Sequence, residues 1–443
     1  MNKSFLVKDI VILAKIEKNF DVVSLFKYKD FSSWVAVKDA LSTNLRKDGN
    51  PPEMVFPKKD LFSKEAFYLI FISTVNYVKN VLNRKPRSLF IGAGSGLFEN
   101  EKQVLDSYFP YKEESTNDVI YFLNADYSKR LFKYKKHICK HNITIFSFIF
   151  SPLTFFLARI IFFFQKKKNI SFDNIIQFLK REGFNIKIET LIWAHIKYIS
   201  GYLLYFIVLR PLKINKVYVV SSYSNSDIIA VCKKRGIEII EMQHGVVGET
   251  HRGYNYKLKD KRLPTPDMIY VYNSFWTKEL LDAGFYSEKQ IKEYGRLKYK
   301  LLEEQNFEIE EKYIVFTGQN LHNDEIKEFL KTSNQLLIDN SIRMFYIPHP
   351  NESQKAIDAL QTYFAHCNSV VIIKEKKFST EKYILDSIAH ISLFSSCHFD
   401  AIHFKGITYI ADIIDNNPME YYVQEMDSRF IKINTITEIF KNI

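Results

Sequence analysis

Two doubly wound α/β halves, each a parallel sheet flanked by helices, are what this sequence predicts, and three observations predict it. The chain has 443 residues, too many for one ordinary core. Short β-branched runs alternate with helical patterns along much of its length. Polar, glycine-containing clusters follow several of the strand candidates, and open parallel sheets bind ligands beyond the carboxyl ends of their strands.

Composition sets the outer limits. At 47% hydrophobic and 15% aromatic residues the chain is a folded protein and not a disordered one. Sixty-two Lys and Arg against 50 Asp and Glu leave a formal charge of +12, which favours nucleotide phosphates, nucleic acid or an acidic membrane surface as partners. Cys139, Cys232, Cys367 and Cys397 are widely spaced and form no CxxC pair. That spacing argues against a metal site or a disulfide framework and fits a reducing, cytoplasmic setting. The N-terminal run MNKSFLVKDIVILAK is interrupted by Asp9 and no small-residue cleavage site follows, so it reads as mature sequence.

The elements run in order along the chain. Ser88–Gly96 (SLFIGAGSG) is a strand ending in glycines, and Asp118–Ala125 is a second strand candidate. Phe172–Phe184 and Thr190–Leu209 read as helices. Then comes a βαβ unit: strand Lys216–Ser222, a helix from Asn225 closed by Gly236, and strand Ile237–Gly245. After LPTPD (Leu263–Asp267) the alternation restarts with MIYVYN, SFWTKELLDAGF and IKEYG, then KYIVFTG and a helix from Asn323. RMFYIPHPNE, SVVIIKE, STEKYILDSI, HISLFSS, HFDAIHFKG and ITYIAD complete it. The two prolines near Pro264–Asp267 mark a connector. They predict Rossmann-like halves at 1–265 and 266–443 facing a cleft.

One segment stands apart. Ile143–Phe164 is apolar for about the thickness of a bilayer core, yet it contains Pro152 and Arg159 and has Lys/Arg clusters on both sides. A helix lying in the interface of an anionic inner-membrane surface accounts for the aromatic residues and the basic flanks together, over about 130–168. The alternative is a pair of core helices broken at Pro152.

Four polar clusters carry candidate chemistry. Gln243-His244-Gly245 ends a strand and opens a loop holding Glu249, His251, Arg252 and Tyr254. The histidine can serve as acid, base or phosphate donor near neutral pH, or simply bond a neighbouring carbonyl. In His349-Pro350 the proline fixes the backbone that carries the imidazole. Ser395-Ser396 precedes a helix, where hydroxyls and free N–H groups suit an anion, although plain N-capping needs only one serine. Gly92-Ala93-Gly94-Ser95-Gly96 lacks the full GxGxxG spacing and reads as a tight turn. Gly318, in FTGQN, also follows a strand and is a candidate nucleotide contact. The sequence shows no P-loop, GxSxG, HExxH or convincing DxD metal pair, and no nucleic-acid motif.

Together these residues resemble GT-B glycosyltransferases of bacterial capsule and lipopolysaccharide assembly, over roughly Lys216 to Asp412. A QHG strand end before an H-x-G-Y loop (His251 to Tyr254) looks like a signature of surface-polysaccharide enzymes. His349-Pro350 and Ser395-Ser396 are similar to the HP and SS motifs of bacterial sialyl- and polysialyltransferases. The same trio is similar to wall teichoic acid glycerophosphotransferases. The resemblance implies a GT-B fold, with a glycan or lipid-linked acceptor on the half at 1–265 and a nucleotide-sugar donor as substrate on the half at 266–443, with no separate cofactor and no metal. It implies a donor held by Gln243, Gly245, Gly318, His349, Pro350, Ser395 and Ser396, and His244, Glu249 or His251 as catalytic groups. Arg296 and Lys298 are further candidates for leaving-phosphate charge. The chain lacks the acidic D/E-D/E-G triplet of the sialyltransferases, which leaves donor and base open. A CDP-alditol phosphotransferase, a nucleotide-sugar 2-epimerase and a non-enzymatic membrane scaffold are the rival readings.

Overall fold

The structure is a computed structural model that describes residues 8–46, 64–83, 85–92, 97–100, 103–115, 118–123, 143, 145–165, 170–304, 311–319, 322–349, 352–415, 417, 419–425 and 428–441. The chain divides into two units, Leu6–Lys298 and Tyr299–Ile443. Each is built on a six-stranded, wholly parallel sheet. Two Rossmann-like domains are what a GT-B chain requires.

In the first unit the sheet strands are β1 (Arg87–Gly92), β2 (Val119–Leu123), β3 (Ile214–Val220), β4 (Glu238–Met242), β5 (Met268–Val271) and β6 (Ile291–Glu293). They lie in the order β6-β5-β4-β3-β1-β2. The order reverses between β1 and β3, because the chain runs outward from β1 to β2 and then returns to the other side. Its helices are α1 (Lys8–Asn19), α2 (Trp34–Arg46), α3 (Lys64–Leu82), α4 (Ile145–Gln165), α5 (Ile170–Arg181), α6 (Ile188–Leu209), α7 (Ser226–Lys234) and α8 (Ser274–Ala283). Leu89, Ile91, Val217, Val219 and Ile239 alternate along the strands onto one face and pack with Ile228, Ile229 and Tyr202 from α7 and α6.

The second unit holds β7 (Tyr313–Thr317), β8 (Arg343–Ile347), β9 (Val370–Ile372), β10 (Ala389–Ser392), β11 (Thr408–Ala411) and β12 (Phe430–Ile433). Helices α9 (Asn323–Asp339), α10 (Gln354–Tyr363), α11 (Thr380–Asp386) and α12 (Cys397–Lys405) connect them. The order is β9-β8-β7-β10-β11-β12, with the reversal between β7 and β10. Ile314, Phe316, Met344, Tyr346 and Ile391 form the centre of its core.

One expectation changes, and one alternative is set aside. The unit boundary falls at Lys298/Tyr299 and not near Pro264–Asp267, because β5 and β6 still pair into the first sheet, β5 on β4 and β6 on β5. The prolines mark an ordinary connection between neighbouring strands. Nor does the apolar segment break at Pro152: α4 runs as one helix from Ile145 to Gln165.

Candidate active site

In the first unit, residues of three adjacent strands share a carboxyl edge, since Ile91 sits beside Val219 and Val219 beside Glu241. Gly92, Ser221 and His244 therefore leave the sheet side by side, around its topological reversal. Ala93 to Gly96 lie outside the described residues.

His244 is the focus of this edge. Its Nε2 is 3.0 Å from the Ser221 hydroxyl and 3.3 Å from that of Tyr223. The Tyr108 hydroxyl donates to its carbonyl oxygen at 3.2 Å. Burial, with the Arg296 guanidinium nearby, lowers the imidazole to about 4, so the ring is neutral at pH 7. Its Nδ1 is buried and has no hydrogen-bond partner among the described residues. Arg296 lies over the rings of Tyr108 and Tyr272, and its Nε donates to the Ser107 hydroxyl at 3.3 Å. Ser221 adopts a left-handed backbone (φ 59°, ψ 64°), unfavourable for a residue with a Cβ, and this turn delivers its hydroxyl to the histidine.

Two residues that sequence reasoning passed over sit beneath. Glu241 is fully buried and accepts from the Ser222 N–H (3.0 Å), the Ser222 hydroxyl (2.7 Å) and the Tyr254 hydroxyl (2.8 Å). Burial outweighs these donors and raises the carboxyl to about 7. Asp106 is likewise raised by burial to about 6, with Arg296 and the Tyr108 N–H acting against the rise.

The long loop after β4 is held from both sides. Gln243 spends its amide inside the chain: Nε2 donates to the Gly245 carbonyl at 2.8 Å and Oε1 accepts from the Tyr272 N–H at 2.8 Å. Its placement is that of a brace between β4 and β5. Gly245 faces open space, with no atom within 4 Å of a built Cβ. Gly253, in contrast, admits no side chain, because a Cβ there would lie 2.2 Å from the Tyr223 ring. His251 packs against Tyr223 and Tyr254, and its Nδ1 accepts from the Gly253 N–H at 3.1 Å. Glu249 is half-buried, 3.9 Å from Lys257. Helices α1 and α2 clamp the far end: Arg252 pairs with Asp39, Lys38 donates to the Asn255 carbonyl, and Glu17 accepts from Lys38 and the Lys257 N–H. Of the three catalytic candidates, only His244 stands at the reversal with an unsatisfied ring nitrogen.

In the second unit the same construction recurs. Thr317 lies between Ile347 and Ser392 in the sheet, so Gly318, His349 and Ser395 leave adjacent strands. Gly318 donates to the Ile347 carbonyl, and a Cβ on it would sit 2.3 Å from the Tyr346 hydroxyl and 2.9 Å from Glu352. Glu352 fixes the next loop, accepting from the His349 N–H at 3.0 Å and from the Tyr346 hydroxyl. This brace went unread in the sequence, although HPNE contains it. Pro350 lies outside the described residues. Ser395 caps α12 by accepting the Cys397 N–H at 3.2 Å, while Ser396 is exposed at the helix start. Lys298 is half-buried on the short helix Leu297–Glu303. Four of the donor-contact candidates thus share one edge of the second unit; Gln243 and Gly245 lie on the first.

No family model matches the sequence, and no characterised protein matches it in sequence. Among solved structures it is similar to the UDP-GlcNAc 2-epimerase of Methanocaldococcus jannaschii, at 11% identity and a TM-score of 0.48, over 81% of this chain and 91% of that one. It is also similar to the UDP-GlcNAc 2-epimerase of Neisseria meningitidis bound to UDP-GlcNAc (12%, TM-score 0.42, 81% and 91%). A third is MurG of Acinetobacter baumannii (10%, TM-score 0.40, 81% and 90%). Likeness at this level carries no reaction across to this chain.

Proposed function

We propose that the chain is a glycosyltransferase that moves a sugar from a nucleotide-sugar donor, CMP-, UDP- or similar, to a surface-polysaccharide or lipid-linked acceptor. It would act in capsule or O-antigen assembly on the cytoplasmic side of the membrane. One observation carries the reading: Gly318, His349, Ser395 and Ser396, far apart in sequence, leave adjacent strands at the reversal of the second sheet, where doubly wound sheets take nucleotides. The second unit then binds the nucleotide. As its bond to the sugar breaks, negative charge grows on the leaving phosphate, and the α12 N-terminus and the serine hydroxyls are placed to meet it.

The first unit handles the hydroxyl that attacks. His244 is neutral, and its buried, unsatisfied Nδ1 suits it to orient that hydroxyl or take its proton. Burial, with the Arg296 guanidinium nearby, keeps the imidazole from charging in advance. An epimerase uses the same architecture with no acceptor, so the two readings separate on a single incubation. Nucleotide sugar alone is converted by an epimerase and left unchanged by a transferase until acceptor is added.

Calorimetry with CMP, CDP, UDP and GDP gives the first test. One nucleotide should bind, and His349→Ala should weaken it about tenfold; unchanged affinity in that variant rules out the second-unit site. His244→Ala should leave donor affinity within about twofold and lower kcat about a hundredfold or more.

A further inference from the structure

Helix α3 turns much of its apolar surface outward. Among its described side chains Ser73, Asn76 and Asn80 are buried and Tyr77 and Val81 pack on the core, whereas Phe71 (67% exposed) and Leu82 (74%) face outward together with Tyr68 and Val78. A water-facing helix shows the opposite arrangement. Helix α4 repeats it: Thr154 and Ala158 are buried, and Phe156 (65%) and Phe163 (80%) point out beside Leu153 and Ile160. These are i, i+3, i+7 and i+10, one continuous stripe. Helix α4 packs on both α3 and α6, Trp193 of α6 lying against Phe155 and Phe162, and the Tyr77 hydroxyl of α3 donates to the Val208 carbonyl of α6 at 2.8 Å. Beside that contact Ile207 is 68% exposed. Thirteen large hydrophobic side chains stand exposed among the described residues, and ten of them are on these three helices. Scattered apolar exposure is ordinary; concentration on one helical cluster is not.

We propose that the outer face of α3, α4 and the end of α6 seats on an anionic lipid bilayer. Charge selects this occupant over a second copy of the chain. From Tyr127 to Phe172 the sequence contains no Asp or Glu, but Lys129, Arg130, Lys133, Lys135, Lys136, Lys140, Arg159 and the run Lys166 to Lys168. Lys79 is exposed on α3 between Val78 and Leu82, and Arg159 lies over the Phe155 ring. Two copies of so basic a segment brought together would oppose like charges, whereas phosphates complement it. The contact is a surface seat. Helix α6 is long and apolar enough to cross a bilayer, yet 56% of its apolar window is buried inside the unit.

The test uses the full chain and sucrose-loaded vesicles of phosphatidylcholine with or without phosphatidylglycerol. Wild-type protein should sediment with the anionic vesicles, bind neutral ones about tenfold or more weakly, and release in high salt. Phe156→Asp with Phe163→Asp should reduce binding at least about tenfold, while Leu281→Asp with Ile338→Asp, exposed apolar positions elsewhere, should not. Vesicles carrying brominated acyl chains should quench Trp193, a readout that needs no variant. Equal binding by the α4 variant, or no wild-type binding to anionic vesicles, overturns the proposal. So does a dimer in sedimentation equilibrium that the α4 substitutions dissolve, since the occupant is then a second copy. None of these measurements involves substrate, so they stand or fall apart from the transferase reading.

Discussion

The two sheets share an architecture and differ in what they set at their reversal points. The first encloses titratable groups: a neutral histidine, a guanidinium and two carboxyls whose proton affinities burial has moved. The second presents a glycine, a histidine backbone braced by Glu352 and a capped helix start. Low dielectric moves proton affinities in the first, as it does for the buried His390 and His398 of the second, where short contacts also fix backbone donors. The contrast teaches that one scaffold can enclose buried titratable groups at one sheet and braced backbone at the other, through the residues set around its strand ends.

The largest test of the contrast concerns Glu241. Its carboxyl is held well above the ordinary 4.5, at about 7, so the folded state binds a proton that the unfolded chain has released between those values. Stability therefore falls as pH rises from 4.5 to about 7 and levels off above, by something on the order of 3 kcal/mol. Glu241→Gln should flatten that slope in denaturant titrations across the window. A slope unchanged by the substitution means the carboxyl is not protonated in the fold.

A smaller, steric effect is expected in the second unit. Gly318→Ala forces Tyr346 or Glu352 aside, at a cost of about 2 kcal/mol. Because Glu352 holds the His349 N–H, nucleotide affinity should fall with it; loss of stability alone would detach this brace from binding.

The smallest effect separates two neighbours. Ser395→Ala removes a cap and should cost about 1 kcal/mol, while Ser396→Ala should cost almost nothing in thermal unfolding. If Ser396 meets phosphate, its removal weakens nucleotide binding all the same. Equal behaviour of the two variants in both assays would reduce the pair to capping.

Much of this was legible in the sequence. The β-branched runs at Lys216–Ser222, Ile237–Gly245 and Lys312–Gly318 mark buried parallel strands, and the polar tips after them mark the carboxyl edges of the sheets. His349 and Ser395 could be placed on either side of Gly318 at one sheet edge only once the order β8-β7-β10 was known, since periodicity does not reveal pairing. Ser221 was invisible because a left-handed serine leaves no compositional trace. Glu241 read as an ordinary strand residue; its partners Ser222 and Tyr254 arrive from separate loops. The prolines at Pro264 misled because a connector between adjacent strands and one between domains use the same residues.

The outward apolar surface of α3 also bears on practice at the bench. A purified preparation in plain buffer keeps aromatic rings in water at a cost that rises with every exposed one, and adsorption or clumping relieves it. Binding measurements gathered that way would undercount competent protein, and a mild detergent or lipid nanodisc becomes part of the reagent and not an additive.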